Sequence, residues 1–203
     1  MKRTSLQAAA LLLSVVTFSA CSSGGAVPAP TMPAPQPANS ADVEFMTGMI
    51  PHHAQAVLIS KWAPTHGASE ELQRMCERIV VSQSQEIGII QGWLREKGRP
   101  VPPSDATHHR MTMGGMTHDM LMPGMLTPEE LAKLDAARGN AFDKLFLEYM
   151  IKHHNGAVSM VDELIAKNGG GSDELVFKMA GDIYADQTTE VDRMQKMLAA
   201  RSQ

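Results

Sequence analysis

The sequence predicts an all-α protein, a four-helix bundle assembled from two copies of one helical hairpin. Two observations carry the prediction. The first is an internal repeat: "FMTGMIPHHAQAV" at Phe45–Val57 returns as "FLEYMIKHHNGAV" at Phe146–Val158, and "IVVSQSQEIGIIQGWL" at Ile79–Leu94 returns as "IYADQTTEVDRMQKML" at Ile183–Leu198. The second is punctuation. "APTHGAS" separates the first pair and "NGGGS" the second, so each copy reads as helix, short turn, helix, and a short turn makes the two helices antiparallel neighbours. One hairpin cannot cover its own apolar face, so two pack together. No stretch alternates like a strand with turn signals on both sides.

The chain has 203 residues, is 43% hydrophobic and carries a net charge of −4, enough for one core and without the basic excess that binds a phosphate backbone. Nucleic acid is therefore not an expected partner. Residues 1–20 read as an export signal: Lys2 and Arg3, an apolar run from Ala8 to Phe18 too short to span a bilayer, then "FSAC". Small residues before Cys21 resemble a bacterial lipobox, with Cys21 as the lipidated first residue, although Phe18 departs from the usual aliphatic side chain. Residues 21–38, built from Ser, Gly, Ala and Pro, read as an extended tether, leaving 39–203 as the folded domain. Cys76 is then the one remaining thiol, so no disulfide staples the domain.

Within the domain, repeat one covers 39–97. Asn39 and Asp42 match Asn140 and Asp143, in each case a helix N-cap followed by an acid in the first turn. Ser69 and Ser172 are the expected N-caps of the second helices. The connection, 98–139, is rich in Met and His and ends in "TPEELAKL", a short helix capped by Thr127 with Pro128 at its first position and Glu130 at its third. Repeat two covers 140–200. Pro51 stands where the second copy has Lys152, so a bend is expected in the first copy only.

The inward stripe of each second helix is apolar except at one place. Gln83 and Glu86 interrupt it in copy one, and Gln187 and Glu190 at the matching turn in copy two. On the first helices, His53 and His154 point toward the axis. His52 and His153, about 100° further round, flank the stripe, so at most one imidazole of each pair is expected to face inward squarely. A buried polar group left unpaired costs roughly 1–3 kcal/mol, so these residues satisfy each other as a register-setting layer or they bind something, a metal ion or a proton. Counting from the turns puts His154 near Gln187 and Glu190, but His53 nearer Cys76 and Ile79 than Glu86. Copy one could then offer a His–Cys site, or Cys76 could be a small apolar filler, as Ala180 is at the matching place.

The doubled "MIPHHAQAV" and "MIKHHNGAV", each followed by a Gln-x-x-Glu helix, resemble the bacterial secreted family called domain of unknown function 305, placed in the ferritin-like superfamily. The resemblance covers about Asn39 to Leu94 and Asn140 to Leu198. It implies a ferritin-like bundle of two αα repeats with His52, His53, His153 and His154 as functional residues, and some proteins of this type are linked to periplasmic copper handling. The Met-rich connection is not part of the family's core pattern.

That connection, "MTMGGMTHDMLMPGM", holds six of the chain's 16 methionines: Met111, Met113, Met116, Met120, Met122 and Met125. His108, His109 and His118 add nitrogen. Thioether sulfur suits Cu(I) and Ag(I), imidazole suits Cu(II) and Zn, and thioethers remain usable where free thiols are lost to disulfides. The alternative is a hydrophobic strap of Met side chains lying over the bundle.

The sequence thus reads as a cell-envelope copper-binding protein. It would buffer, carry or detoxify Cu(I), Cu(II) or Ag(I), touch the membrane only through a lipid anchor, and pass ions to a periplasmic copper-handling partner. Two other classes compete. A ferritin-like di-iron enzyme normally needs Glu-x-x-His from two helices; the sequence has none, and Glu148 precedes His153 by five residues, out of phase for a shared ion. A metal-free lipoprotein would use the bundle as a scaffold and the polar layer as structure. No nucleophile motif or phosphate loop is present.

Overall fold

The computed structural model describes residues 37–113 and 116–201, so the expected export signal, Cys21 and all but the end of the expected tether lie outside the described residues. Helix α1 (Ser40–Ser60) and α2 (Glu70–Glu96) form the first hairpin, and α4 (Asn140–Ala166) and α5 (Glu174–Ala200) the second. Between them run a two-stranded ribbon, β1 (His109–Met113) and β2 (Met116–Met120), and the short helix α3 (Pro128–Ala136). No described helix is long and apolar enough to cross a membrane.

The four long helices enclose two apolar clusters rather than one. The first joins Phe45, Met46, Met49 and Ile50 of α1 to Ile90 and Leu94 of α2, Met160 and Leu164 of α4, and Val176 and Ile183 of α5. The second joins Ala56 and Ile59 of α1 to Leu72, Met75 and Ile79 of α2, Phe142, Phe146 and Met150 of α4, and Val191 and Met194 of α5. The first half of α1 thus shares a cluster with the second half of α4, so these two helices run antiparallel and cross at their middles. The histidines sit at that crossing, between the clusters.

The helix starts differ from expectation in two places. Asn39 caps α1, its Oδ1 accepting from Ala41 N at 2.8 Å, and Ser69 caps α2. In the second repeat Gly139, not Asn140, is the cap of α4: the Gly139 N–H donates to the His66 carbonyl at 2.8 Å, which fixes the chain one residue earlier. Asp173, not Ser172, caps α5, because the Ser172 hydroxyl turns to Asp42 and leaves the Asp173 carboxylate to accept from Leu175 N and Val176 N. Thr127 and Glu130 form the expected capping box of α3.

The first-turn acids reach across the bundle. Asp42 of α1 accepts from Gly171 N at 2.6 Å and Asp173 N at 3.1 Å, at the start of α5. Asp143 of α4 accepts from Ser69 N at 3.1 Å, at the start of α2, and pairs with Arg201 at 2.9 Å. Each repeat therefore holds the second helix of the other, where free N–H groups and the positive helix end favour a carboxylate.

Two further findings concern the connection. Contrary to the reading that no stretch is strand-like, His109–Met113 and Met116–Met120 pair antiparallel in the register His109 with Met120, Met111 with His118 and Met113 with Met116. The signal was the Gly-Gly dipeptide between two five-residue alternations, masked because methionine, histidine and aspartate are weak strand markers and each strand has a single β-branched residue, Thr112 or Thr117. After the ribbon the chain lies directly on the bundle. Gln55 is fully buried and donates through Nε2 to the Leu126 carbonyl at 3.0 Å while its Oε1 accepts from Leu126 N at 2.7 Å. At Gly156, the position matching Gln55, a Cβ would fall 2.0 Å from the Pro123 carbonyl oxygen, so only glycine admits the strap there.

Candidate metal centre

His52, His53, His153 and His154 are all completely buried. This corrects the expectation that only one imidazole per pair faces inward: α1 and α4 cross at these residues, so the flanking positions, His52 and His153, face each other instead of solvent. The rings form a row. Their centroids are 6.1 Å apart from His53 to His52, 3.9 Å from His52 to His153, and 6.2 Å from His153 to His154.

A carboxylate stands at each end. His154 Nε2 hydrogen-bonds Glu190 Oε2 at 2.6 Å. His53 Nε2 lies 2.7 Å from Glu86 Oε2, in contact although the angles fall outside those of a hydrogen bond. The expected His53–Cys76 neighbourhood is thereby overturned. After Ser60 the chain keeps helix-like bonds, Ala63 N to Ser60 O and His66 N to Trp62 O, and reverses only at Gly67, whose φ of +68° suits glycine. The extra turn carries α2 further along before it descends, bringing Glu86 to the level of His53. Cys76 packs in the second apolar cluster, and burial pushes its thiol up to about 12.

Burial, first, and the neighbouring imidazoles hold His52 down to about 3 and His153 well below the usual histidine range. Both rings are neutral at physiological pH. The His52 Nε2–H donates to the Pro123 carbonyl at 3.0 Å, which places the ring proton on Nε2 and leaves a lone pair on Nδ1. Nδ1 is buried without a partner in all four rings, as are both nitrogens of His153. The Gln83 carboxamide has no partner for either polar atom, and Gln187 Oε1 has none. Orphaned nitrogen and oxygen concentrated in a core carry a desolvation cost that a bound cation or further hydrogen bonds would offset. Among the described residues no three His, Cys, Asp or Glu converge on one point as a finished site. The donors stand in line instead, and with two inward carboxylates rather than four the row does not match the ligand set of a ferritin-like di-iron centre.

The remaining candidates sit on the connection. By register and alternation, His109, Met111, Met113, Met116, His118 and Met120 all occupy positions of one face of the ribbon, while Arg110, Thr112, Thr117 and Asp119 occupy the other. Met120 is exposed, as is His108, whose Nδ1 lies 3.2 Å from Thr107 Oγ1. Met122 and Met125 behave as the strap reading expects: Met122 packs between Gly48 and Met160, and Met125 is buried.

Sequence reasoning missed three contributors. Gln55 and Gly156 hold the strap whose Pro123 carbonyl orients His52. His66 is buried and links the first turn to α3 through Asp135 at 3.0 Å. A broken match within the repeat, Gln against Gly, was the available signal for the first two.

The comparisons agree with this architecture. The structure resembles a protein of this family from Streptomyces coelicolor described as secreted, with 31% identity, a TM-score of 0.65, and 80% of this chain and 94% of that one covered. It also resembles the protein CopM in its Cu(II)-bound form, with 26% identity, a TM-score of 0.61, and 78% and 96% covered. CopM has also been solved with Cu(I) and with silver. An uncharacterised protein of Acanthamoeba polyphaga mimivirus is 32% identical over 56 residues, 28% of this chain, and the match spans 37% of the viral protein. The sequence profile of the domain of unknown function DUF305 matches residues 42–198, and the chain belongs to that family.

Proposed function

We propose that this protein is a copper-binding protein of the cell envelope, a buffer or carrier for Cu(I), Cu(II) and, by the same softness, Ag(I). One observation carries the reading: four completely buried imidazoles in a row, every Nδ1 without a partner. Neutral imidazole is the form that ligates a metal, and burial keeps at least His52 and His153 in that form. The ribbon supports a second, softer donor set, since four methionines and two histidines occupy positions of one face. Thioether suits the monovalent ions and imidazole with carboxylate the divalent one. The forms in which CopM has been solved, with Cu(I), Cu(II) and silver, span the same range. In this reading the metal is cargo. Export and lipidation at Cys21 would hold the protein at the envelope, where a copper-handling partner could receive the ion.

The test is titration of the purified protein with Cu(II), and of the reduced protein with Cu(I) and Ag(I), with metal content measured after desalting. Binding tighter than about micromolar supports the reading. Absence of binding for all three ions ends it. His53→Gln with His154→Gln separates the scaffold alternative: a structural layer loses stability with unchanged metal stoichiometry, whereas a ligand layer loses Cu(II).

A further inference from the structure

The inner rings are covered on one side by the strap, through the Pro123 carbonyl on His52 and the close approach at Gly156. The other side is built differently. Helices α2 and α5 each pack mainly on their hairpin partners, α1 and α4. Along the seam between them the polar groups form a gradient of depth. Asp186 is exposed, the side chains of Glu86 and Glu190 are 13% and 19% exposed, and His53 and His154 are completely buried. Asp186 and Glu190 are four residues apart on α5 and share a face. Glu86 comes from α2. Among the described residues no lysine or arginine pairs with any of the three. Partial burial and the charges of Glu86, Glu190 and Asp182 push the Asp186 carboxyl above its ordinary range, and of these four acids Asp182 alone is paired with a cation, Lys178.

An acidic seam alone would be a solvated surface. Beneath this one lie donors that have nothing to bind: Nδ1 of His53, Nδ1 of His154, and the Gln83 carboxamide on the turn before Glu86. We propose that the α2–α5 seam is the cation entrance to the histidine row, with Asp186 as its outermost capture residue and Glu86 and Glu190 handing the ion to His53 and His154.

The repeat makes the assignment specific. The position matching Asp186 in α2 is Ser82, an uncharged residue whose hydroxyl donates back to carbonyls of its own helix, Arg78 at 3.0 Å and Ile79 at 3.4 Å. The entrance is therefore charged from one side. A low-dielectric cleft lined with one sign of charge raises the arrival rate of the opposite ion, steeply dependent on ionic strength.

This inference rests on the copper reading, and stopped-flow mixing with Cu(II), followed by quenching of the protein's two tryptophans, separates the two. Asp186→Asn is expected to slow association about fivefold at low salt, with a smaller salt dependence and an unchanged dissociation rate. Ser82→Asp, which adds the missing charge, is expected to speed association, a gain that misfolding cannot mimic. Glu70→Gln, at the far end of α2 from Glu86 and paired with Arg74, is the control and should change nothing. Equal rates for Asp186→Asn and the parent, equal slowing by Glu70→Gln, or an effect confined to dissociation would overturn the entrance while leaving copper binding intact. A parent protein that takes up no copper in either oxidation state would bring down the copper reading and this inference with it.

Discussion

Repeat one and repeat two each place the same three side chains, two histidines and a glutamate, in the row, Glu86–His53–His52 meeting His153–His154–Glu190, yet the strap treats the two halves differently. On α1 it is held by the paired hydrogen bonds of Gln55; on α4 it is admitted by the missing side chain of Gly156. His52 consequently has a backbone carbonyl on Nε2, and His153 has no partner on either nitrogen. The difference teaches that duplication built the row while the connection, which belongs to neither copy, made its halves unequal. His153 is left as the ring with the most unused binding capacity.

The largest expected effect probes what the halves share. Histidine titrates near 6.5 in an unfolded chain, while in the fold His52 does so only at about 3 and His153 well below its usual range. Between those values the unfolded chain holds more protons. Stability is thus complete above about pH 6.5 and is lost as pH falls toward 3, by on the order of 4 kcal/mol from His52 alone. Denaturant unfolding of the metal-free protein across that range should show the loss, and His52→Phe should flatten the slope. A parent protein equally stable at pH 4 and pH 7 would contradict the buried neutral row.

The next effect addresses the asymmetry itself. Gly156→Ala drives a methyl group into the Pro123–Gly124 backbone and should cost about 3 kcal/mol, because backbone on both sides cannot yield. Gln55→Ala removes two hydrogen bonds and strands the Leu126 backbone groups, for about 2 kcal/mol. If Gly156→Ala proves neutral, the strap is not seated on α4 as described. Chemical denaturation at pH 7 measures both.

The smallest effect compares the crossed acids. Asp143 has both a helix start and Arg201 as partners, whereas Asp42 has backbone N–H groups and a serine hydroxyl. Asp143→Asn should cost about 2 kcal/mol and Asp42→Asn about 1 kcal/mol, charged hydrogen bonds being the stronger. In an Arg201→Met background the two costs should become equal. A difference that survives would assign the inequality to the helix ends instead.

Much of this protein was legible before folding. The repeat, the all-α class, the helix hairpins and the identity of the polar layer follow from local periodicity and from breakers, which act over one or two turns and are written in contiguous residues. Three features were not. Counting residues through the first turn misplaced His53, because Lys61–His66 continues the helical rise although Pro64 reads as a stop. The inward aim of His52 and His153 needed the α1–α4 crossing, since the direction of a side chain on one helix says nothing about which neighbour covers it. The ribbon register depended on two strands finding each other across a Gly-Gly pair, a nonlocal choice that weak strand formers do not announce. Sequence by itself determined which side chains would be polar inside an apolar bundle, since patterning is a property of one helix. Only tertiary packing decided that they would stand in a line, neutral and partly unsatisfied, because burial and partner geometry exist only once four helices meet.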